Sequence, residues 1–307
     1  MESGHVPVLV GESLELLDVR RGGLFVDATL GLGGHAEALL EASPDARLVG
    51  IDRDAAALAI ARERLARFAG RVDFVLARFD QLSEVLADFG PAAGILADLG
   101  VSSLQLDSPE RGFSFRFEGP LDMRMGLSDL TAADVVNRSA EAELERIIRE
   151  YGEDWQARRI ARAIVLARRE KPFSTTGELR GTIARAKRNA PGDREGRVDP
   201  ATRVFQALRI AVNRELAGLE SLLDQAVRLL EADGRLVVIS YHSLEDRIVK
   251  NTLRELAQGE IDPVTGRPHS ESRLIETLTK KPIRPSDEEV RLNPRSRSAR
   301  LRAARRL

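Results

Sequence analysis

Nine consecutive residues, Asp27-Ala28-Thr29-Leu30-Gly31-Leu32-Gly33-Gly34-His35, carry the densest set of groups able to do chemistry in this 307-residue chain. Glycines at 31, 33 and 34 let backbone approach a ligand closely, and a helix starting behind them offers unsatisfied N–H groups. Such a loop serves NAD, FAD, nucleotides and S-adenosylmethionine alike, and a tight turn with no ligand is the plainer alternative. Two acids narrow the choice. Asp52 stands where a carboxylate can hold a ribose diol, a device of both NAD and adenosylmethionine enzymes. Asp27 opens the loop, where it suits the cationic amino-acid end of S-adenosylmethionine and would repel a pyrophosphate. Phe79 is placed to pack on an adenine ring, although core packing is the commoner fate of a phenylalanine.

A third acid heads Asp98-Leu99-Gly100-Val101-Ser102-Ser103-Leu104-Gln105. If Asp98 ends a strand of an open α/β sheet, its loop and the glycine loop meet at the carboxyl edge of that sheet, where ligands bind.

The elements needed to place these residues are visible in the hydrophobic pattern. Gly23–Ala28 reads as a strand, residues 35–41 as a helix and Arg47–Asp52 as a second strand, which makes a βαβ unit. A helix with Leu58, Ala61, Leu65 and Phe68 on one stripe follows, then strands at Val72–Ala77 and Ala93–Asp98. Regular alternation predicts a parallel sheet with helices on both faces. The alternation stops between Asp98 and about Pro200, where turn-rich sequence gives way to helical stripes such as Leu144, Ile147, Ile148, Tyr151 and Ile160, Ala163, Ile164, Ala167. So long a stretch is not a loop; it predicts an inserted helical domain closed by the polar linker Gly192–Gly196. A long helix is then expected, with the stripe Phe205, Leu208, Val212, Leu216, Leu219, Leu223, Ala226, Leu230 and Gly218 as its weak point. A strand at Arg235–Ser240, a helix at Leu244–Leu256 and two late segments, Leu274–Ile283 and Ser298–Arg306, complete the chain, the last two as an antiparallel end to the sheet.

Composition excludes several classes. With no cysteine, disulfides, thiolate metal sites and cysteine nucleophiles are absent, and His5, His35, His242 and His269 lie far apart in sequence. No metal is expected. No apolar run is long enough to span a bilayer, so no membrane is expected and the cytoplasm is the expected address. The net charge of −1 says nothing of a nucleic-acid partner. Its distribution says more: residues 294–307 hold six arginines and no acid, and Arg180, Arg185, Lys187 and Arg188 form a second basic run. Either run is a solvated face or a set of phosphate contacts.

Seven blocks together resemble one family. They are Asp27–His35; Asp98–Ser103 with Gln105; Arg111-Gly112-Phe113-Ser114-Phe115; Leu121-Asp122-Met123-Arg124-Met125; Phe205–Ile210; His242-Ser243-Leu244-Glu245-Asp246-Arg247; and Asn293–Ala299. With His5-Val6-Pro7-Val8-Leu9 in front, the chain resembles the bacterial ribosomal RNA small-subunit methyltransferase H family, also called MraW, over nearly its whole length. The resemblance implies an α/β fold of class I (Rossmann-like) SAM-dependent methyltransferase type with an inserted mostly helical domain: a methyltransferase core at 1–106 and 201–307, the latter ending in the basic tail, and a substrate-recognition insert at 107–200. It implies methylation of N4 of cytosine 1402 in 16S ribosomal RNA, at the decoding centre of the small ribosomal subunit, with S-adenosyl-L-methionine as donor. It also implies cofactor contacts at Gly33, Gly34, His35, Asp52, Phe79, Asp98 and Gln105.

Such chemistry would be direct in-line transfer, with the enzyme holding N4 ~3–3.5 Å from the methyl carbon. The N4 lone pair is delocalised into the ring, so acceptors on its N–H groups help to localise it. Asp98 is the first candidate acceptor, followed by Ser102 and Ser103. A stacking aromatic often follows such an acid, but the position is Val101 here. Tyr241, Phe113 and Phe115 are the alternatives, and His242 is a candidate base. The inserted helices and the arginine tail are the expected RNA surface. Methylation of a protein or small molecule, a Rossmann-type oxidoreductase, and a non-catalytic ribosome assembly factor stay open as other readings, as does the choice between monomer and homodimer.

Overall fold

The computed structural model describes residues 7–187, 199–260 and 270–307. His5, Val6, Arg188, the expected linker Gly192–Gly196 and His269 lie outside the described residues. In chain order the elements begin with α1 (Val10–Leu17), β1 (Gly23–Asp27), α2 (Gly34–Ala42), β2 (Ala46–Asp52), α3 (Ala55–Arg64), β3 (Val72–Leu76), α4 (Leu82–Leu86) and β4 (Ala92–Asp98). Helices follow: α5 (Ser103–Asp107), α6 (Ala132–Arg138), α7 (Glu141–Glu150), α8 (Ala157–Glu170), α9 (Thr176–Lys187), α10 (Thr202–Asn213) and α11 (Glu215–Leu229). The chain ends with β5 (Leu230–Ser240), α12 (Ser243–Gln258), β6 (Ile275–Thr277), α13 (Asp287–Leu292) and β7 (Arg300–Arg306).

Two compact units result, one of residues 1–100 with 216–307, the other of Val101–Glu215. The sequence reading put the joins at 106/107 and 200/201. The second differs because α10 buries Val204, Phe205, Ala207, Leu208 and Val212 in the hydrophobic cluster of the helical unit.

In the first unit one sheet runs in the order β3-β2-β1-β4-β5-β7-β6. The first five strands are parallel, and β7 is antiparallel to both β5 and β6, so the two late segments do form an antiparallel end. Successive strands proceed outward from β1 to β3 on one side and from β4 to β5 on the other. The strand order therefore reverses between β1 and β4, which end in Asp27 and Asp98. Ligands of open α/β sheets bind at such a switch point. Central strands such as β4 are buried along nearly their whole length, because helices cover a parallel sheet on both faces.

The single helix expected across 205–230 is two. Arg214 takes a left-handed conformation (φ 52°) that ends α10, while Gly218 lies inside α11. Asn213 fixes the break: its buried amide donates to the carbonyls of Met123 and Arg209 and accepts from the Met125 N–H. Phe205, Leu208 and Val212 serve the helical unit's core, whereas Leu219, Leu223, Ala226 and Leu230 serve the sheet's. One continuous stripe in sequence thus belongs to two cores.

The basic tail is also different from the expected surface. Four of its arginines lie in β7, paired with β5 and β6. Arg302 is buried and donates to Asp246 at 2.7 Å, Arg305 bridges Asp233 and Glu276, and Arg306 donates to the Arg228 and Leu230 carbonyls. Strand pairing has absorbed these residues, so they do not form a free phosphate-binding tail. The second basic run is similarly committed: Arg180 pairs with Asp199, and Lys187 is buried against Asp154 at 2.5 Å and the Pro200 carbonyl.

Replacing Lys187 by Met should destabilise the helical unit by about 3–5 kcal/mol, because Asp154 is left as a buried charge without its partner. The double change Lys187→Met, Asp154→Leu should recover much of that loss, and urea unfolding of the three proteins measures it. Equal losses in the single and double variants would mean that packing, not charge, decides the site.

Candidate active site

The glycine loop is pinned at both ends. Gly33 sits at φ 79° as the residue before α2, a conformation that glycine adopts without steric cost, and a Cβ there would also press Leu65 at 3.3 Å. A Cβ on Gly34 would stand 3.0 Å from Pro7, so its smallness serves the close approach of the N-terminal segment. The N–H of Gly31 donates to Asp52 Oδ2 at 2.8 Å, and that of Asp54 to Asp52 Oδ1 at 2.8 Å. Each carboxylate oxygen thus keeps a lone pair for a further donor such as a ribose hydroxyl.

Asp27 and Asp98 end adjacent strands and are held by short links. The Asp98 N–H donates to Thr29 Oγ1 at 2.6 Å, the Thr29 N–H donates to Asp27 Oδ1, and the Tyr241 hydroxyl donates to Asp98 Oδ1 at 2.8 Å. Burial pushes both carboxyls up to about 7; the Tyr241 hydrogen bond opposes this at Asp98, and His35 opposes it at Asp27, where the Asp98 and Asp52 charges add to it. Burial pulls His35 down, and the neighbouring Asp27 charge opposes this. Its Nε2 donates to the Val8 carbonyl at 2.8 Å, which leaves the Nδ1 lone pair 3.7 Å from Asp98 Oδ2. Three carboxyl groups gathered here, with Arg53 acting on Asp52 and His35 on Asp27, favour a positively charged ligand over a pyrophosphate.

The switch-point side of the sheet thus brings together Gly33, Gly34, His35, Asp52 and Asp98. Phe79 opens the turn after β3, and its ring packs over Gly218, where a Cβ would approach Cε2 to 2.9 Å. The glycine that weakened the helix pattern is what admits this ring. Ser102, Ser103 and Gln105 belong to the helical unit. Ser102 Oγ accepts the Gln105 N–H and Gln105 Oε1 accepts the Ser102 N–H, a reciprocal cap at the start of α5.

Candidates for stacking on a base are otherwise engaged. The Tyr241 hydroxyl is on Asp98 and its ring lies against Gly100; Phe113 is buried; Phe115 packs edge-on to Phe205 at 5.0 Å. His242 caps α12, with Nδ1 accepting the Glu245 N–H and Nε2 buried 3.1 Å from Glu245 Oε1. Buried Glu245 in turn accepts the Tyr241 and His242 N–H groups. Sequence reasoning weighed Tyr241 for its ring and missed its phenol. No local pattern pairs a hydroxyl with an acid 143 residues away. Thr29, inside the loop, was legible as polar but not as the bridge to β4.

Against this geometry the comparisons are decisive. The profile of the MraW methylase family matches residues 2–307. This chain belongs to the MraW methylase family. Its relatives include proteins named "Ribosomal RNA small subunit methyltransferase H" from Bradyrhizobium diazoefficiens, 49% identical over 98% of this chain and 91% of the relative, and from Geotalea daltonii, 52% identical over 99% and 98%. Among solved structures, an rRNA methylase from Streptococcus thermophilus covers 97% of this chain and 93% of its own at 12% identity, with a TM-score of 0.43, too distant to inform the site. As an MraW methylase the chain is a methyltransferase of the class I, Rossmann-like kind, and S-adenosylmethionine is its methyl donor. The acid-rich switch point fits a sulfonium and ammonium ligand. Among the described residues no helix is long and apolar enough to cross a membrane.

The raised carboxyls carry a pH signature. Burial pushes Asp27 and Asp98 up to about 7 in the fold from the ordinary carboxylate value of 3.8, so the fold binds protons that the unfolded chain has released. Their contribution to stability is complete below about 3.8 and is lost as pH rises through about 7. The donor-free MraW methylase should therefore melt lower at pH 8 than at pH 5, and Asp27→Asn should shrink that difference. A slope unchanged by the substitution would mean that Asp27 is ionised throughout.

Proposed function

We propose that this chain methylates N4 of cytosine 1402 in 16S ribosomal RNA, at the decoding centre of the small subunit, by direct in-line transfer from S-adenosylmethionine. The carrying observation is the pair of carboxyls that end neighbouring strands at the β1/β4 switch point, buried Asp27 and partly exposed Asp98, beside His35. The RNA substrate is supported by the names of relatives about half identical to this chain and by the seven sequence blocks.

In this reading Gly33, Gly34 and His35 present backbone to the donor, Asp52 holds its ribose, Phe79 borders its adenine and Asp27 balances its amino-acid cation. Bound there, the donor supplies an electrophilic methyl group. Asp98, held by Tyr241 on one oxygen, accepts an N4–H of the cytosine with the other. That bond draws the lone pair out of ring conjugation and onto nitrogen as the C–N bond forms, and the carboxylate then takes the departing proton or passes it to water. Ser102 and Ser103 follow Asp98 as catalytic candidates, and Gln105 as a cofactor contact, on the sequence resemblance alone.

The test is methyl transfer from labelled donor to small subunits, and to free 16S RNA, prepared from a strain lacking this activity, with the modified nucleotide located by mass spectrometry. Label on N4 of cytosine 1402 is expected. Label on another nucleotide, on protein, or on nothing overturns the assignment.

A further inference from the structure

The outer face of α8 is charged in a way that the fold does not use. From Ala157 to Arg169 the helix holds five arginines and no acid; Arg168 donates to the Val136 carbonyl at 2.7 Å and Arg159 is also engaged, which leaves Arg158, Arg162 and Arg169 on the outer face. Its inner face, Ala157, Ile160, Ala161, Ile164 and Val165, is buried, which accounts for its apolar residues but not for its cations. The neighbouring α7 is different: Arg146 and Arg149 pair with Glu143, Glu150 and Glu145 within their own helix. Arg158, Arg162 and Arg169 have no such partner among the described residues and are exposed. Arg158 stands in the first turn, where the helix dipole disfavours a cation. A local rule broken without structural return points to a ligand.

An aromatic completes the face. Trp155, in the turn leading into α8, is 67% exposed although it is the only tryptophan in the chain, and Leu166 is 51% exposed. Residues 158, 162, 166 and 169 advance by three or four and so lie along one side of the helix, and Trp155 stands in the turn three residues before the first of them. A stripe of guanidinium groups headed by an exposed indole has the two parts that single-stranded nucleic acid requires: cations that follow the phosphates and a flat platform for a base.

We infer that the outer face of α8, with Trp155 as stacking platform and Arg158, Arg162 and Arg169 as phosphate contacts, is a docking surface for single-stranded RNA. The inference deepens the reading of the chain as an RNA methyltransferase and rests on it for the choice of RNA as occupant. An acidic protein would satisfy the arginines but leave the indole without a role, and a second copy of the chain would bring like charge against like.

Because Trp155 is the sole tryptophan, its fluorescence reports on this face alone. Titration of the full-length protein with a fluorescein-labelled oligouridylate, followed both by anisotropy and by Trp155 emission, should give matching curves with Trp155 quenched. Heparin, a polyanion without bases, should compete for binding without that quenching. The triple variant Arg158→Gln, Arg162→Gln, Arg169→Gln should lose at least about tenfold in affinity at low salt, with a salt slope shallower by roughly two. Trp155→Ala should lose roughly five- to tenfold with the slope unchanged. All four positions are exposed, and circular dichroism checks that the variants fold.

RNA binding with Trp155 emission unmoved, or equal affinity in the triple variant, overturns the surface. So does a Trp155 change that follows protein concentration without RNA, or one elicited by small-subunit proteins stripped of RNA. Methyl transfer to small subunits by the wild type, run beside these titrations, separates the two claims. Transfer intact with a silent Trp155 sinks the surface alone, whereas a quenched, arginine-dependent Trp155 without transfer to RNA sinks the proposed reaction and leaves the surface standing.

Discussion

Asp98→Asn should lower methyl transfer by about a hundred- to a thousandfold while the dissociation constant for S-adenosylmethionine changes by less than about tenfold. The amide is nearly isosteric and can still accept the Tyr241 hydroxyl, so the local packing survives. What it lacks is the charge that draws the nitrogen lone pair out of conjugation and the basicity that removes the proton. The wild-type rate should also rise with pH up to about 7 and then level, because Asp98 must be ionised and burial holds its carboxyl near that value. The rising limb should lie at or below about 7 in the presence of donor, since a bound cation favours the carboxylate. It should vanish in Asp98→Asn. Single-turnover rates across pH, with donor affinity measured separately by calorimetry, make the comparison; equal losses in rate and affinity would reduce Asp98 to a binding residue. Tyr241→Phe provides the companion measurement. Removing the hydroxyl takes away the one hydrogen bond that lowers the Asp98 carboxyl, so the limb should move to higher pH while the plateau rate falls far less than in Asp98→Asn.

Gly33→Val should weaken donor binding by on the order of a hundredfold, about the loss of one or two hydrogen bonds to a charged group. At φ 79° a β-branched residue is strained by about 1–3 kcal/mol, and its Cβ meets Leu65 at 3.3 Å. The loop relieves both by moving, and the backbone that α2 presents to the donor moves with it. Calorimetric titration with S-adenosylmethionine reads the affinity, and the melting temperature reads how far the loop alone has shifted. Unchanged affinity would remove Gly33 from the site whatever its stability. Gly218→Ala affects the same ligand from the other end: it should displace the Phe79 ring and raise the donor's dissociation constant by a smaller factor, with α11 itself gaining helix propensity.

Much of the site was legible because its parts are local. A glycine run between an apolar strand and a helix, an acid closing the next strand and an acid closing the fourth are each short patterns, and each landed at the carboxyl edge of the sheet. Errors arose where identical local patterns serve different neighbours. The stripe from Phe205 to Leu230 has the period of one helix, yet Asn213, bonded to Met123 and Met125 about 90 residues earlier, ends it. The arginines of residues 300–306 look like a solvated tail until β5 and β6 close on either side and Asp246, Asp233 and Glu276 meet their charges. Tyr241 reads in sequence as a base-stacking ring, and the fold sets its hydroxyl on Asp98 Oδ1.

By itself the amino-acid order determined the alternating α/β architecture, the glycine loop and the three acids, because backbone propensity, hydrophobic period and strand-end chemistry act over a few residues. Only the tertiary structure decided which charges are spent on one another, which ring is free and which carboxyls are driven toward neutrality. Those outcomes depend on burial and on partners distant in sequence, and desolvation has no local signature.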